Sequence, residues 1–253
     1  MAEMGIGFGS EWHLFHYLGR HRYALDQAVL AEAGAGSIEW LDVRSSSDPA
    51  GVDEEWQGIE FLFSPQAMRV ADYSHLRSPW RDFWPRTGTA QSWDAVGILR
   101  RETEVEWLLV EAKAHTGEVQ TRDGCRASGD SREQIVKALN AVGSDLGITD
   151  TSNWTGSHYQ YANRLAALWF LLNNRVPARL MYVYFYGGDH EGFDCPATAR
   201  DWNRCIVGQE RALGIETLMP GTVIDGRTPK IFLPVRRAMA TAKIRTPRPR
   251  AVP

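Results

Sequence analysis

Glu111 and Lys113 close an apolar run, Trp107-Leu108-Leu109-Val110-Glu111-Ala112-Lys113, and Asp94 stands in the segment before it. Two carboxylates and an ammonium at the edge of an apolar sheet suit phosphate chemistry. Hard divalent cations such as Mg²⁺ take one or two carboxylates together with substrate phosphate oxygens. For these groups to converge, Trp93 to Leu99 and Glu106 to Ala114 must be strands. The charged stretch Arg100-Arg101-Glu102-Thr103-Glu104 between them suits a hairpin turn. Alternation along a strand puts Glu111 and Lys113 on one face and Ala112 on the other. Hairpin pairing then brings Asp94 beside Glu111.

Lysine is scarce in this chain. Lys113, Lys137, Lys230 and Lys243 are the only lysines among 28 basic residues. A composition so biased to arginine makes a lysine at the end of an apolar strand a chemical choice. A compact ammonium can be aimed at one water in a way that a planar, permanently charged guanidinium cannot. The plain alternative is an edge-strand lysine in a salt bridge.

The order Asp, hairpin, Glu-x-Lys resembles the PD-(D/E)XK nuclease superfamily, carried here by Asp94, Glu111, Ala112 and Lys113. Trp93 stands where the name-giving proline would be. The resemblance implies that Asp94, Glu111 and the Ala112 carbonyl hold Mg²⁺, with Mn²⁺ as a substitute, and that Lys113 activates the attacking water. It also implies an additional acid on the first helix, for which Glu11 is the candidate, with Glu32 and Glu39 as substitutes. Glu11 has a second reading, because a carboxylate in a first helical turn is favoured by the helix dipole alone. The Gln-x-x-x-Tyr signature of the RecB-like branch is absent, since Ala138 follows four positions after Gln134.

The elements around the motif read as an α/β fold. Ser10 can cap a helix running to about Glu32, interrupted near Gly19, with Trp12, Phe15, Leu18, Leu25, Val29 and Leu30 as its apolar face. Ser37 to Val43 is a short strand. Residues 44–91 form an insertion broken by prolines and studded with Trp56, Trp80 and Trp84, with a strand near Ile59 to Phe63; so many aromatics need a core to bury them. A loop from Thr116 to Gly129 leads to helices over Ser131 to Leu146 and His158 to Asn174. A strand over Arg179 to Tyr186, a helix over Thr198 to Leu213 and a last strand over Ile231 to Val235 complete the chain. This order matches the αβββαβ core of the restriction-endonuclease-like fold, a mixed central sheet flanked by helices. The chain also resembles a bacterial family with a Ser-Glu-Trp-His helix (Ser10 to His13) and a Tyr-Gln-Tyr-Ala-Asn-Arg helix (Tyr159 to Arg164), which lends no activity of its own.

With 253 residues and 43% hydrophobic content, residues 1–235 can bury one full nuclease-like core. No apolar run is long enough for a bilayer, and no basic start leads into an apolar stretch, so neither a membrane span nor a secretory leader is expected. Three cysteines without Cys-x-x-Cys spacing predict a reducing cytoplasm and no structural zinc. The net charge of −3 argues against a non-specific DNA coater and leaves room for a local groove. The tail, 236–253, is basic and Pro-containing: a solvated arm, or one that touches phosphate. Nothing in the sequence specifies an oligomer.

Gln160 and Arg164 share a face of an otherwise apolar helix. They make either a buried hydrogen-bond network or a phosphate-facing wall, and the bidentate fork of arginine favours the wall. His115 follows Lys113 at strand spacing, placed to touch a phosphate or to end the strand in solvent. His13 and His16 lack further ligands for a two-histidine metal site. The expected function is a Mg²⁺-dependent nuclease acting on DNA, with RNA as the other polymer. The alternatives are a catalytically silent nucleic-acid or partner-binding module of the same fold and, more distantly, a glycosidase pairing Asp94 with Glu111.

Overall fold

In the computed structural model, residues 9–41, 55–85, 91–120, 123–190, 192–216 and 221–236 are described. Gly9, at φ 88°, turns the chain into helix α1 (Ser10–Arg20). Only glycine adopts that conformation without penalty, so the helix starts after it and Ser10 is its first residue. The Ser10 amide donates to the Glu118 carboxylate at 3.1 Å, so a distant acid takes the capping role expected of the serine side chain. The first helix is also broken, at His21 and not at Gly19, and α2 (Arg22–Ala33) follows, closed by Gly34 in the left-handed conformation. Leu14, Tyr17, Leu25, Val29 and Ala33 form the buried stripe, while Phe15, expected inside, is 51% exposed.

Strand β1 (Ser37–Trp40) comes next and ends before Leu41; 42 and 43 of the expected extension lie outside the described residues, as do 44–54 and 86–90 of the insertion and the tail beyond 236. The rest of the insertion contains β2 (Trp56–Gln57), α3 (Pro65–Met68) and α4 (Arg77–Phe83). Glu60–Phe63, expected as a strand, is a turn of 3-10 helix; Phe61 and Leu62 are both buried there, which a one-faced strand would not allow. Trp80 meets Phe170 edge-on at 4.9 Å, and Phe83 stacks on Trp169 at 5.6 Å, so the insertion is packed into the core as its aromatic content required.

β3 (Ser92–Trp93) pairs with β2, and β4 (Ala95–Arg101) turns through Glu102 and Thr103 into β5 (Glu104–Lys113). Then come α5 (Gly129–Asp145), α6 (Tyr159–Asn173), β6 (Ala178–Tyr186), α7 (Asn203–Leu213) and β7 (Lys230–Pro234). The main sheet has the order β1-β4-β5-β6-β7, with β1, β4 and β5 antiparallel and β6 and β7 parallel to β5. Helices cover both faces: α1 and α2 pack on Leu99, Leu108, Val110 and Met181, while α5 and α6 pack on Val96, Ile98, Leu109 and Leu180. A mixed sheet buried on both sides explains why β5 and β6 read as nearly continuous apolar runs.

Two glutamates interrupt that apolar strand. Glu106, 2% exposed, accepts from Arg101 at 3.0 Å and Arg179 at 3.2 Å, and from Arg227. Arg101 also donates to the Ala33 and Gly34 carbonyls, so this cluster ties the end of α2 to β4, β5, β6 and the approach to β7. Glu111 lies at the other end of the strand.

Candidate metal centre

β5 is an interior strand, held by Ala95↔Val110 on one side and by Glu111↔Tyr182 and Lys113↔Tyr184 on the other. That pairing fixes the backbone beneath Glu111 and Lys113, which share the face of Trp107 and Leu109. Both are buried, at 2% and 7% exposure. The Lys113 Nζ donates to Glu111 Oε1 at 2.5 Å and to Gln160 Oε1 at 2.9 Å. Arg164 Nε donates to Glu111 Oε2 at 2.8 Å, and its other nitrogens donate to Asn163 Oδ1 and to the Ser92 carbonyl. Burial alone would raise the Glu111 pKa, but Arg164 and Lys113 outweigh it and hold the carboxyl below its ordinary range.

Asp94 occupies the single bend between β3 and β4, where the chain leaves the small sheet for the large one. Its amide donates to the Val110 carbonyl at 3.1 Å, and its Oδ2 accepts from the Ala112 amide at 2.5 Å. The N–H and C=O of one strand residue point to the same side, so the Ala112 carbonyl also faces the β4 edge where Asp94 stands. Burial and then the Glu111 charge push the Asp94 carboxyl well above the usual range, against the pull of Lys113 and the Ala112 amide.

Two further acids reach this point. Glu11 stands in the first turn of α1, and Glu55 directly precedes β2. One carboxylate oxygen each from Glu11, Glu55 and Asp94 lies within 4.8 Å of the others. Glu11 is raised by burial and next by Glu55, as expected when anions are forced together. The donor set is all oxygen, and the acids repel one another until a cation sits among them, so the residues fit Mg²⁺ or Mn²⁺ and not a thiolate or imidazole metal.

Asp94, Lys113, Glu111 and Glu11 are therefore brought to one end of the sheet, with an acid that sequence reasoning did not single out. The only trace of Glu55 is the acidic run Asp53-Glu54-Glu55 directly before Trp56, and nothing in its spacing relates it to Asp94. Glu111 was expected to share the cation with Asp94. Both its oxygens are engaged by Lys113 and Arg164, and it borders the group of three without joining it. Arg164, expected in a phosphate-facing wall, is 6% exposed and committed to Glu111, Asn163 and Ser92, which is the buried-network arrangement. Gln160 faces inward too, as the second acceptor for Lys113. His115 leans on Phe193, with ring centroids 4.4 Å apart, and its Nε2 is 3.5 Å from Glu118. Glu39 pairs with Arg100 at an exposed edge, and Glu32 is exposed, so neither replaces Glu11. His13 and His16 stand outside the acid group.

No family model, curated protein or solved structure matches the chain.

Proposed function

We propose that the chain is a Mg²⁺-dependent nuclease that hydrolyses phosphodiester bonds in DNA. The observation that carries this reading is the meeting of Glu11, Glu55 and Asp94 within 4.8 Å, beside a buried Lys113 held by Glu111 and Gln160. The element order supports it: a helix, three antiparallel strands with Asp94 just before the second and Glu111 on the third, helices, then a parallel strand. Such an order is in keeping with the αβββαβ core that the resemblance to PD-(D/E)XK nucleases implies.

Glu11, Glu55 and Asp94, with the Ala112 carbonyl close by, are the residues that would hold the cation. When bound there, it supplies Lewis-acid polarisation of a phosphoryl oxygen and offsets charge at the leaving oxygen. Lys113 does the positioning. An ammonium has three donors, and among the described residues two are taken by Glu111 and Gln160. The third is left for a water or a phosphate oxygen. Glu111 in turn is fixed by Arg164, so the lysine is aimed by a rigid, packed shell. The attacking water forms a new P–O bond in line as the bond to the leaving oxygen breaks. Cys125, Cys195 and Cys205 are all free, in keeping with a reducing cytoplasm as the working compartment.

The test is incubation with supercoiled, linear and single-stranded DNA and with RNA, each with Mg²⁺, Mn²⁺ or EDTA. Divalent-dependent cleavage that disappears in Asp94→Asn is expected. Failure to cut any polymer would assign the fold to a silent binding module.

A further inference from the structure

A cleft of about 310 Å³ opens directly beside Asp94 and Glu55, which form part of its wall. Its other sides are apolar and largely aromatic: Phe15 and Leu18 from α1, Trp40 from β1, and Trp56 and Trp93 from the small sheet. The volume lies in the range of ordinary small-ligand pockets. Because the same two acids line the cleft and belong to the candidate metal centre, whatever enters it is attached to, or touches, the group that sits at the acids.

We propose that this cleft receives the base of a nucleotide whose phosphate lies at Glu55 and Asp94, so that the substrate is unpaired at the point of cleavage. The inference rests on the nuclease reading and names its substrate: a single strand, or a duplex from which one nucleotide has turned out. Two observations carry it. Phe15 is a large aromatic left 51% exposed on a helix whose core contacts are already made by Leu14 and Tyr17, so packing does not account for it. The Trp40 indole is held by its Nε1–H donated to Asp26 at 2.7 Å, with Arg22 lying 5.8 Å from the ring centroid, so its orientation is set before a ligand arrives.

Fixed aromatic faces next to a phosphate-binding point are the means by which proteins hold unpaired nucleotides, because every base has a π-face to stack. A base inside a duplex cannot reach such a pocket without leaving its stack. Among the described residues lining the cleft, Arg22 is the one cation and the remaining charge comes from the two acids, so the lining does not suit the phosphate.

The experiment is a binding titration of the full chain, in Mg²⁺, with thymidine 5′-monophosphate and with 2-deoxyribose 5-phosphate, which lacks the base. Stacking of one base predicts that the nucleotide binds about 5- to 100-fold tighter. Phe15→Ala should erase most of that preference while keeping the stabilisation by Mn²⁺, which reports an intact fold and acid group. Equal affinity for the two ligands overturns the proposal whatever polymer is cut. Cleavage of single-stranded and duplex oligonucleotides, run alongside, separates the two readings. Efficient cutting with equal affinities leaves the nuclease standing and removes the base pocket; base-dependent binding with no cutting of any polymer does the reverse.

Discussion

Replacing Asp94 with Asn should abolish stabilisation by Mn²⁺ and, in the metal-free protein, raise the melting temperature. The three acids approach within 4.8 Å. Two full charges at that distance repel by about 3.5 kcal/mol at an effective dielectric of ~20. Solvent reaches these half-buried carboxylates, which reduces the figure to ~1–2 kcal/mol. Asparagine removes the charge, keeps an oxygen to accept the Ala112 amide, and can donate to Glu11 or Glu55. With ~2–4 °C of melting temperature per kcal/mol, the metal-free variant should gain about 2–8 °C. For the wild type, Mn²⁺ at 100 times its dissociation constant contributes ~2.7 kcal/mol by mass action, a rise of about 5–10 °C. Thermal melts of both proteins in EDTA and across a Mn²⁺ titration measure both effects. A wild type indifferent to Mn²⁺, or an Asp94→Asn protein with an undiminished shift, refutes the acid group as a metal site. A variant less stable than wild type in EDTA refutes the repulsion.

Three other predictions bear on the same shell. Lys113→Arg should lower the cleavage rate by ~10²-fold or more while leaving the Mn²⁺ shift in place, since the guanidinium keeps the charge but not the compact geometry; full activity would reduce Lys113 to a structural charge. Arg164→Leu strands Glu111 with one partner and should cost ~3–5 kcal/mol by urea unfolding, and an Arg164→Leu protein as stable as wild type would deny that network its role. Raised carboxyl pKa values at Asp94 and Glu11 contribute stability that is present below the ordinary carboxylate range and lost as pH rises through the raised values. Glu111, held low, has the opposite sign and loses its contribution only as pH falls through its lowered value. Metal-free melting temperature should therefore decline from about pH 5 toward pH 8 while the Mn²⁺ shift grows, and melts in EDTA and Mn²⁺ that stay parallel across that window would contradict the assignment.

The motif was legible because strand periodicity is local. Alternation placed Glu111 and Lys113 on one face, and the charged hairpin turn brought Asp94 to the same end, so those positions followed from β5 and its neighbour alone. The helix over 159–173 and the strand over 178–186 were equally clear, since their apolar content admits few other readings. What the sequence did not disclose depends on long-range meetings. Glu55 joins Asp94 only because β2 pairs with β3 across the insertion, and no spacing rule connects the two positions. Arg164 was read for its bidentate fork, but it gives the buried Glu111 carboxylate one bond, from Nε, and its other two nitrogens go to Asn163 and the Ser92 carbonyl. Ile59 to Phe63 has strand-like composition, yet the insertion buries adjacent side chains together, and a tight helical turn does that where a strand cannot. The helix breaks at His21, two residues beyond the glycine that signalled an interruption.

β5 buries Glu106 and Glu111 on opposite faces, and most of the arginines that neutralise them arrive late in the chain. Arg164 lies 53 residues after Glu111, and Arg179 and Arg227 lie 73 and 121 residues after Glu106. A β4–β5 hairpin emerging from the ribosome has the apolar side chains to collapse but carries two carboxylates for which it supplies only Arg101 and Lys113 itself, so full neutralisation on burial waits for the later arginines. The hairpin is thus withheld from premature burial until the last third of the chain has been made. Assembly of the sheet becomes a single cooperative event, in which the strand that carries the chemistry is locked only when both of its ends have been electrically closed from downstream.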